Sequence, residues 1–305
     1  MLTRNRKILF SGAALGVATL ALAGCVATAE DVASDGSSSG DDSKGTVTIP
    51  AIAGWDEGVA SSELWKAVLE ENGYSVNIEY ADAATVYAGL AAGDYDFYTD
   101  TWMPLTHKTY MDTYGDDIAT LGTWNEDAQN TIAVNADAPI DSLTELADHA
   151  DEFGNTIVGI EPGAGLTEAT QNNVIPTYGL EGMDYQTSST AAMLTELQAS
   201  EDAGENIVVT LWQPHWAYSK FDLKNLEDPE NTLGDAETMQ VTARADFADD
   251  FPEVAEWLSN FEMSLDQLQS LEAVMFSSDQ QLDDFGPVVA EWIADNQDYV
   301  DGLTA

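Results

Sequence analysis

Cysteine, histidine and basic side chains are scarce in this chain of 305 residues. The single cysteine, Cys25, excludes an intrachain disulfide and a cysteine-based metal cluster. The three histidines are widely scattered and none shows the i, i+4 spacing of a helical metal site, so we expect no metal and no cofactor. With 9 Lys and Arg against 55 Asp and Glu, the formal net charge is −46. Such a charge argues against nucleic acid and anionic membrane surfaces as partners, because both would repel the chain.

The N-terminal segment has the pattern of an export signal. Arg4, Arg6 and Lys7 precede an uncharged apolar stretch over residues 8–24, which is at the short limit for crossing a bilayer. The stretch ends in Leu-Ala-Gly before Cys25, which resembles the lipobox of bacterial lipoproteins, whose cysteine is acylated after cleavage. We therefore predict a signal peptide over residues 1–24 and a lipid anchor on Cys25 at the extracytoplasmic face of the cell membrane. An uncleaved N-terminal anchor with an incidental cysteine is the alternative.

Residues 25–44 join this anchor to the rest of the chain. They are dominated by Ala, Ser, Gly and Asp, with too few large apolar residues to form a core, so we predict a flexible linker. Beyond the linker, acidic residues are spread along the whole chain and basic residues stay scarce. This distribution favours a salt-rich habitat, where ions screen the self-repulsion of the protein. The alternative is that this exported protein became acidic by ordinary sequence drift, without adaptation to salt.

From residue 45 on, short β-rich runs alternate with helical runs, which predicts an α/β protein with a parallel sheet. The pattern restarts after Asn130, and the chain from about Asp246 on is helical. Two α/β sets followed by terminal helices predict two lobes with a cleft between them, and ligand-binding residues just beyond the strands. The predicted strands are residues 45–51, 75–80, 95–99, 131–134, 156–160 and 207–211, and the predicted helices before residue 246 are residues 57–72, 83–92, 166–175 and 191–200.

Three tryptophans directly follow predicted strands. Trp55 comes after the first strand, Trp102 after the strand at residues 95–99, and Trp212 after the strand at residues 207–211. The last two stand in Trp-x-Pro, where proline ends strand pairing and fixes the turn that presents the indole. We therefore expect these three indoles to meet at the cleft. Three further tryptophans lie in predicted helices and are assigned to core packing: Trp65, Trp257 and Trp292.

Clustered indole faces without basic neighbours suit a soft, weakly hydrated cation. A quaternary ammonium group cannot donate hydrogen bonds, so cation–π attraction holds it, with about 2 kcal/mol from each desolvated face. The Gly-rich turn at residues 161–167 leads from a strand into a helix, whose backbone N–H groups can receive a carboxylate. His107 follows Trp102 by five residues and is a second candidate donor. The two features together predict a zwitterionic ligand.

Four motifs make the chain from about Gly45 to its C-terminus resemble the substrate-binding lipoproteins of glycine betaine and related compatible-solute ABC transporters. They are Gly54-Trp55-Asp56, Thr101-Trp102-Met103-Pro104-Leu105-Thr106-His107, Glu161-Pro162-Gly163-Ala164-Gly165-Leu166 and Trp212-Gln213-Pro214-His215-Trp216. The resemblance implies an aromatic cage of Trp55, Trp102 and Trp212, and a carboxylate site formed by His107 and the backbone amides of Gly165 and Leu166. By the same resemblance, His215 and Trp216 are expected to support the Trp212 turn, with direct ligand contact as the alternative.

The fold that this resemblance implies is a two-lobed clamshell, the periplasmic-binding-protein fold of type II, with the ligand in the interlobe cleft. It implies a first lobe of residues 45–130 and 240–305 and a second lobe of residues 131–239. The first two motifs would then contribute to the site from the first lobe, and the last two from the second. The implied function is an extracytoplasmic binding protein that captures glycine betaine for osmoprotection. It would close on the ligand and deliver it to an ABC permease driven by a cytoplasmic ATPase.

The sequence leaves several alternatives open. A choline-specific protein would have no partner for His107 and Gly165, because choline lacks a carboxylate, so stronger binding of betaine than of choline is expected. Carnitine shares both charged groups of betaine, so a carnitine-specific protein stays open, as does a lipoprotein that senses betaine without transporting it. An enzyme acting on betaine-like compounds is disfavoured, because no nucleophile motif is present and His107 has no evident catalytic partner.

Overall fold

The computed structural model describes residues 44–276, 282 and 284–305. The predicted signal peptide, Cys25 and the predicted linker up to residue 43 lie outside the described residues. The strands are β1 (Thr46–Ala51), β2 (Ser75–Tyr80), β3 (Phe97–Met103), β4 (Ile118–Asn135), β5 (Thr156–Val158), β6 (Asp184–Gln186), β7 (Val208–Gln213), β8 (Leu223–Asn225) and β9 (Glu237–Arg244). The helices are α1 (Asp56–Glu71), α2 (Ala83–Ala92), α3 (Lys108–Tyr114), α4 (Leu143–Leu146), α5 (Gly165–Ala169), α6 (Ile175–Tyr178), α7 (Thr190–Ala203), α8 (Ala217–Lys220), α9 (Phe247–Asp250), α10 (Pro252–Ser259), α11 (Leu265–Phe276), α12 (Gly286–Asp295) and α13 (Gln297–Gly302).

Local sequence signals set the ends of several helices. Asp82 precedes α2, and its carboxylate accepts a hydrogen bond from the backbone N–H of Thr85 at 3.0 Å. Gly93, at φ +78°, ends the same helix in the left-handed conformation that glycine adopts without strain. Ser189 caps α7 in the same way as Asp82, through the N–H of Ala192 at 3.2 Å. These caps satisfy backbone groups that a helix end leaves unpaired, so helix bounds near them were predictable.

The described strands form two sheets. Strands β1 and β2 pair in parallel, and the other seven form a mixed sheet in the order β3–β9–β4–β7–β5–β6, with β8 beside β4. The predicted parallel sheet is wrong for most of this larger sheet, because β4 and β9 run antiparallel to their neighbours and parallel pairing is confined to β5 with β6 and β7. Alternation of strands and helices along a chain does not by itself determine strand direction.

Strand β4 links the two halves of the larger sheet. Its residues up to Ala128 pair with β9, and its residues from Gln129 on pair with β7 and β8. The sequence predicted a strand only at residues 131–134 and missed the first half of β4. Register shifts on both sides of Gly122 break the alternation of apolar and polar residues there, so the usual strand pattern is absent.

The C-terminal helices α9 to α13 complete the structure, and helix α11 packs against α1 and α12. The three tryptophans predicted in helices are buried in α1, α10 and α12, which confirms their assignment to packing. Among the described residues, no helix combines the length and the apolar character needed to cross a bilayer.

Candidate functional site

A small cavity lies near the ends of β1, β3 and β7 and the start of α5. Its wall includes all six residues for which the sequence predicted ligand contact: Trp55, Trp102, His107, Gly165, Leu166 and Trp212. Five wall residues were missed by the sequence analysis: Glu57, Thr106, Asn130, Ile160 and Ala164. Most of these stand inside or next to the four motifs, and that proximity was the available signal. Asn130 stands outside the four motifs and had no such signal. It reaches the wall because β4 pairs with β7, which places Asn130 opposite Trp212.

The three tryptophans of the wall come from the carboxyl ends of strands. Trp55 lies between β1 and α1, whereas Trp102 and Trp212 are the next-to-last residues of β3 and β7. The prediction that the last two follow their strands is therefore wrong, because pairing continues to the residue before Pro104 and before Pro214, where the peptide bonds are cis. All three side chains are 3–6% exposed, so their faces are nearly free of water, as strong cation–π attraction requires.

Hydrogen bonds at their edges orient two of these indoles. The Trp102 Nε1–H donates to Asp100 Oδ1 at 2.6 Å, and the Trp55 Nε1–H donates to Glu161 Oε2 at 3.5 Å. The Trp55 ring also stacks on His107, with the centroids 5.4 Å apart and the planes 17° from parallel. The polar edges of these two indoles are thus occupied by carboxyl groups, and one face of Trp55 is covered by the His107 ring, which leaves the remaining faces to the cavity.

His107 is held as an uncharged hydrogen-bond donor. Its Nδ1 accepts the backbone N–H of Trp102 at 2.8 Å, so the proton of the neutral ring resides on Nε2. Burial lowers the pKa of His107 to about 3, which keeps the ring neutral at physiological pH. The Nε2 atom has no hydrogen-bond partner within the described part of the chain. It therefore offers one N–H to an acceptor in the cavity.

Gly165 begins α5, whose first N–H groups have no acceptor within the helix. The helix predicted at residues 166–175 is divided into α5, a π-helical turn at Thr170–Val174, and α6. The structure shows a reason for glycine that the sequence did not reveal: a Cβ at position 165 would lie 1.8 Å from the carbonyl oxygen of Thr106. The missing side chain lets the turn after β3 approach the start of α5.

Two neighbours of Trp212 lie outside the cavity wall. His215 Nδ1 accepts the backbone N–H of Ala217 at 3.0 Å, and its ring packs edge-on against Trp212 with the centroids 4.8 Å apart. The Trp216 Nε1–H donates to the carboxylate of Asp56 at the start of α1. Through these contacts both residues brace the turn after β7, in line with the expectation, and Trp216 in addition joins that turn to α1.

Four buried carboxyl groups lie close to the aromatic residues, and only one of them, Asp56, stands in one of the four motifs. Asp56 and Glu57 start α1, Asp100 lies in β3 and Glu272 lies in α11. Burial raises the pKa of Asp56 to about 6 and the pKa of Asp100 to about 7. Burial, together with the neighbouring carboxyl groups, raises the pKa values of Glu57 and Glu272 well above their usual range. Acidic residues are so frequent in this chain that four buried ones do not stand out in the sequence.

Burial favours the uncharged form of these acids, and of the four only Glu57 reaches the cavity wall, where a bound cation would favour its ionised form. They do not form a metal site, since the described residues contain no group of three or more His, Cys, Asp or Glu arranged to hold an ion. The cavity thus combines cation-attracting faces and an acidic group with an uncharged N–H donor. This arrangement can bind a small zwitterion.

Residues 45–295 match the family model described as the substrate binding domain of the ABC-type glycine betaine transport system. A curated relative, the glycine betaine/carnitine transport binding protein GbuC of Listeria monocytogenes, is 38% identical over 165 residues. The alignment covers 53% of this chain and 52% of the relative, so the chain spans about half the length of that protein.

Two solved structures share the fold. Lactococcal OpuAC in its closed-liganded conformation with glycine betaine is 28% identical, with a TM-score of 0.78 over 85% of this chain and 99% of that chain. An ABC-transporter choline binding protein in complex with choline is 25% identical, with a TM-score of 0.77 over 85% of this chain and 91% of that chain. The expected two-lobed, type II periplasmic-binding-protein fold is thereby confirmed. Because the family model covers most of its length, the chain belongs to the family of substrate-binding domains of ABC-type glycine betaine transport systems.

Proposed function

We propose that this protein captures glycine betaine, or a closely related quaternary-ammonium zwitterion, outside the cytoplasmic membrane for an ABC importer. The observation that supports this most strongly is one cavity wall that carries three buried indoles and the uncharged donor of His107. The indoles hold the ammonium group by cation–π attraction, and the N–H donors bind the carboxylate. The proposed ligand-binding residues are Trp55, Trp102, Trp212, His107, Gly165 and Leu166.

Betaine suits this cavity better than choline does. A carboxylate accepts charge-assisted hydrogen bonds from His107 Nε2–H and from the first N–H groups of α5, and such bonds contribute about 1.5–3 kcal/mol each. Choline offers a neutral hydroxyl there, so we expect it to bind more weakly by about tenfold or more. The similarity to a choline binding protein and to a glycine betaine/carnitine binding protein makes choline and carnitine the alternative ligands to test.

Ligand capture proceeds by closure of two lobes. We assign residues 45–130 and 240–305 to the first lobe and residues 131–239 to the second. The change of partner along β4 between Ala128 and Gln129 supports the boundary near residue 130, whereas β9 pairs with first-lobe strands already from Glu237, three residues before the assigned boundary at residue 240. Since each lobe contributes part of the cavity wall, the ligand contacts are complete only when the lobes meet. The ligand then stabilises the closed state by its higher affinity for that state.

The closed, liganded form is the one that would dock on a membrane permease coupled to an ATPase. A lipid anchor on Cys25 would keep the protein at the outer face of the cell membrane. The binding site is assigned no catalytic role, and betaine should be released unchanged. A lipoprotein that senses betaine without transporting it is the remaining alternative, which loss of betaine uptake on deletion of the protein would contradict.

Calorimetric titration of the protein with betaine and with choline tests this proposal. We expect micromolar betaine binding that weakens by about thirtyfold or more in Trp212→Ala, since each desolvated face contributes about 2 kcal/mol. Trp292→Ala, which removes a buried indole outside the cavity wall, is the matched control and should bind as the unaltered protein does. Absence of betaine binding in the unaltered protein would contradict the proposed ligand. Tighter binding of choline than of betaine would favour the choline alternative.

A further inference from the structure

Glu237 is a buried carboxylate that holds the turn carrying His107. It is the first residue of β9 and is 1% exposed. Its Oε2 accepts the backbone N–H groups of Leu105 at 2.7 Å and Thr106 at 2.9 Å. Its Oε1 accepts the hydroxyl of Thr106 and the side-chain N–H of Asn130 at 3.3 Å. The Asn130 amide also donates to the Thr106 hydroxyl oxygen at 2.6 Å, which closes the network.

The network sits where the two halves of the larger sheet join. Ala128 is the last residue of β4 that pairs with β9, and its partner there is Glu237. From Gln129 on, β4 pairs with β7 instead, and Asn130 lies opposite Trp212. The carboxylate therefore lies beside β4 at the point where this strand passes from one half of the sheet to the other.

We infer that Glu237 is a positioning residue that ties the carboxylate-binding end of the cavity to this junction in β4. This inference rests on the proposed function. Thr106 precedes His107, and the Thr106 carbonyl oxygen is the atom that α5 approaches at Gly165. A displaced turn would thus move the His107 donor and the surface on which α5 closes. Within the described part of the chain, neither Trp55 nor Trp212 is hydrogen-bonded to Glu237, and of these two only Trp55 contacts His107, by ring stacking, so the ammonium end should be less affected.

The contacts require a carboxylate and not an amide. All four contacts of Glu237 come from donors, two on each oxygen. A glutamine of the same size would place its own NH2 group against two of these donors and leave them without an acceptor. Glu237→Gln therefore disturbs the turn with almost no change in volume.

The test compares two ligands in two variants. Glu145→Gln is the matched control, because the Glu145 carboxylate also accepts two consecutive backbone N–H groups, those of Asp141 at 3.0 Å and Ser142 at 3.1 Å, but is not part of the cavity wall. In Glu237→Gln we expect the Kd for betaine to rise at least about tenfold and the Kd for choline, measured by displacement of betaine, to stay within about twofold. Glu145→Gln should change neither constant.

A second measurement separates positioning from general support of the fold. The amide resonance of Trp102 reports the hydrogen bond to His107 Nδ1, so it should shift in Glu237→Gln and stay unchanged in Glu145→Gln. An unchanged betaine Kd, an equal loss for both ligands, or an unmoved Trp102 amide would each overturn the inference. If the glutamine variant does not fold, Glu237→Asp, which keeps the charge but shortens the side chain, is measured with the same expectation. Failure of the unaltered protein to bind betaine would instead contradict the proposed function.

Discussion

At Gly165, one hydrogen atom in place of a methyl group decides whether two parts of the cavity wall can meet. The Thr106 carbonyl oxygen occupies the space that a Cβ would need, at 1.8 Å. No rotation of a side chain can relieve this overlap, because the clashing atom belongs to the backbone. The turn after β3 and the start of α5 would have to separate, and a wider gap would lose the proposed ligand contacts on both sides.

We therefore predict that Gly165→Ala weakens betaine binding by at least about a hundredfold, equivalent to roughly 3 kcal/mol. Thermal stability should change little, since the overlap disappears when the lobes open. Gly182→Ala is the control, because a Cβ there would have no heavy atom within 4 Å and should leave binding intact. Titration calorimetry and thermal unfolding of both variants provide the measurement. Undiminished betaine affinity in Gly165→Ala would show that this close approach is not needed for binding.

At the scale of elements, α1, β3 and α11 bring four carboxyl groups into one buried cluster: Asp56, Glu57, Asp100 and Glu272. In the folded protein their pKa values are raised by burial, so they bind protons that the unfolded chain has already released. The buried His107 and His215 act in the opposite sense, because burial lowers both of their pKa values to about 3. The histidine contribution changes only below about pH 6.5, where unfolded histidine becomes protonated.

We predict that the free energy of unfolding of the ligand-free protein falls as pH rises from about 6.5 to about 8.5. In this window the folded state holds more protons than the unfolded state, so stability changes by about −1.4 kcal/mol per pH unit for each extra proton held. Urea unfolding at the two pH values, at constant ionic strength, measures the slope. Asp100→Asn should reduce this slope, whereas Asp94→Asn, at an exposed position, should not. Equal slopes in all three proteins would show that Asp100 does not contribute.

The whole molecule has few cations with which to balance its acids. Arg244 alone contacts three carboxylates, those of Asp96 at 2.9 Å, Asp246 at 2.5 Å and Asp250 at 2.8 Å. With 55 acidic and 9 basic residues, most carboxylates have no cation to pair with. Their mutual repulsion opposes the compact state and weakens as salt shortens the screening length from about 30 Å at 0.01 M to about 3 Å at 1 M.

We predict that the melting temperature of the protein rises by several degrees between about 20 mM and about 2 M potassium chloride, with most of the rise at the lower concentrations where screening changes fastest. A non-ionic osmolyte such as sucrose is the control, since it favours compact states without screening charge. Differential scanning calorimetry measures both series. Equal melting temperatures at the two salt concentrations would contradict the idea that the charge is an adaptation to a salt-rich habitat.

The sequence by itself determined the local features of this protein. The bounds of β2 and α2 follow from alternation and from caps at Asp82 and Gly93, which act within a few residues. All six residues assigned to the ligand lie on one cavity wall, because strand-end motifs place side chains at the same edge of a sheet.

Only the tertiary structure decided the features that depend on pairing between distant parts of the chain. Three such features are the antiparallel placement of β9 between β3 and β4, the passage of β4 from one half of the sheet to the other, and the hydrogen bonds between Glu237 and Thr106. Each joins residues that are far apart in the sequence. The same holds for the buried acids of α1 and α11. No local periodicity marks such contacts, since each arises from the path of the whole chain and from the burial that this path imposes.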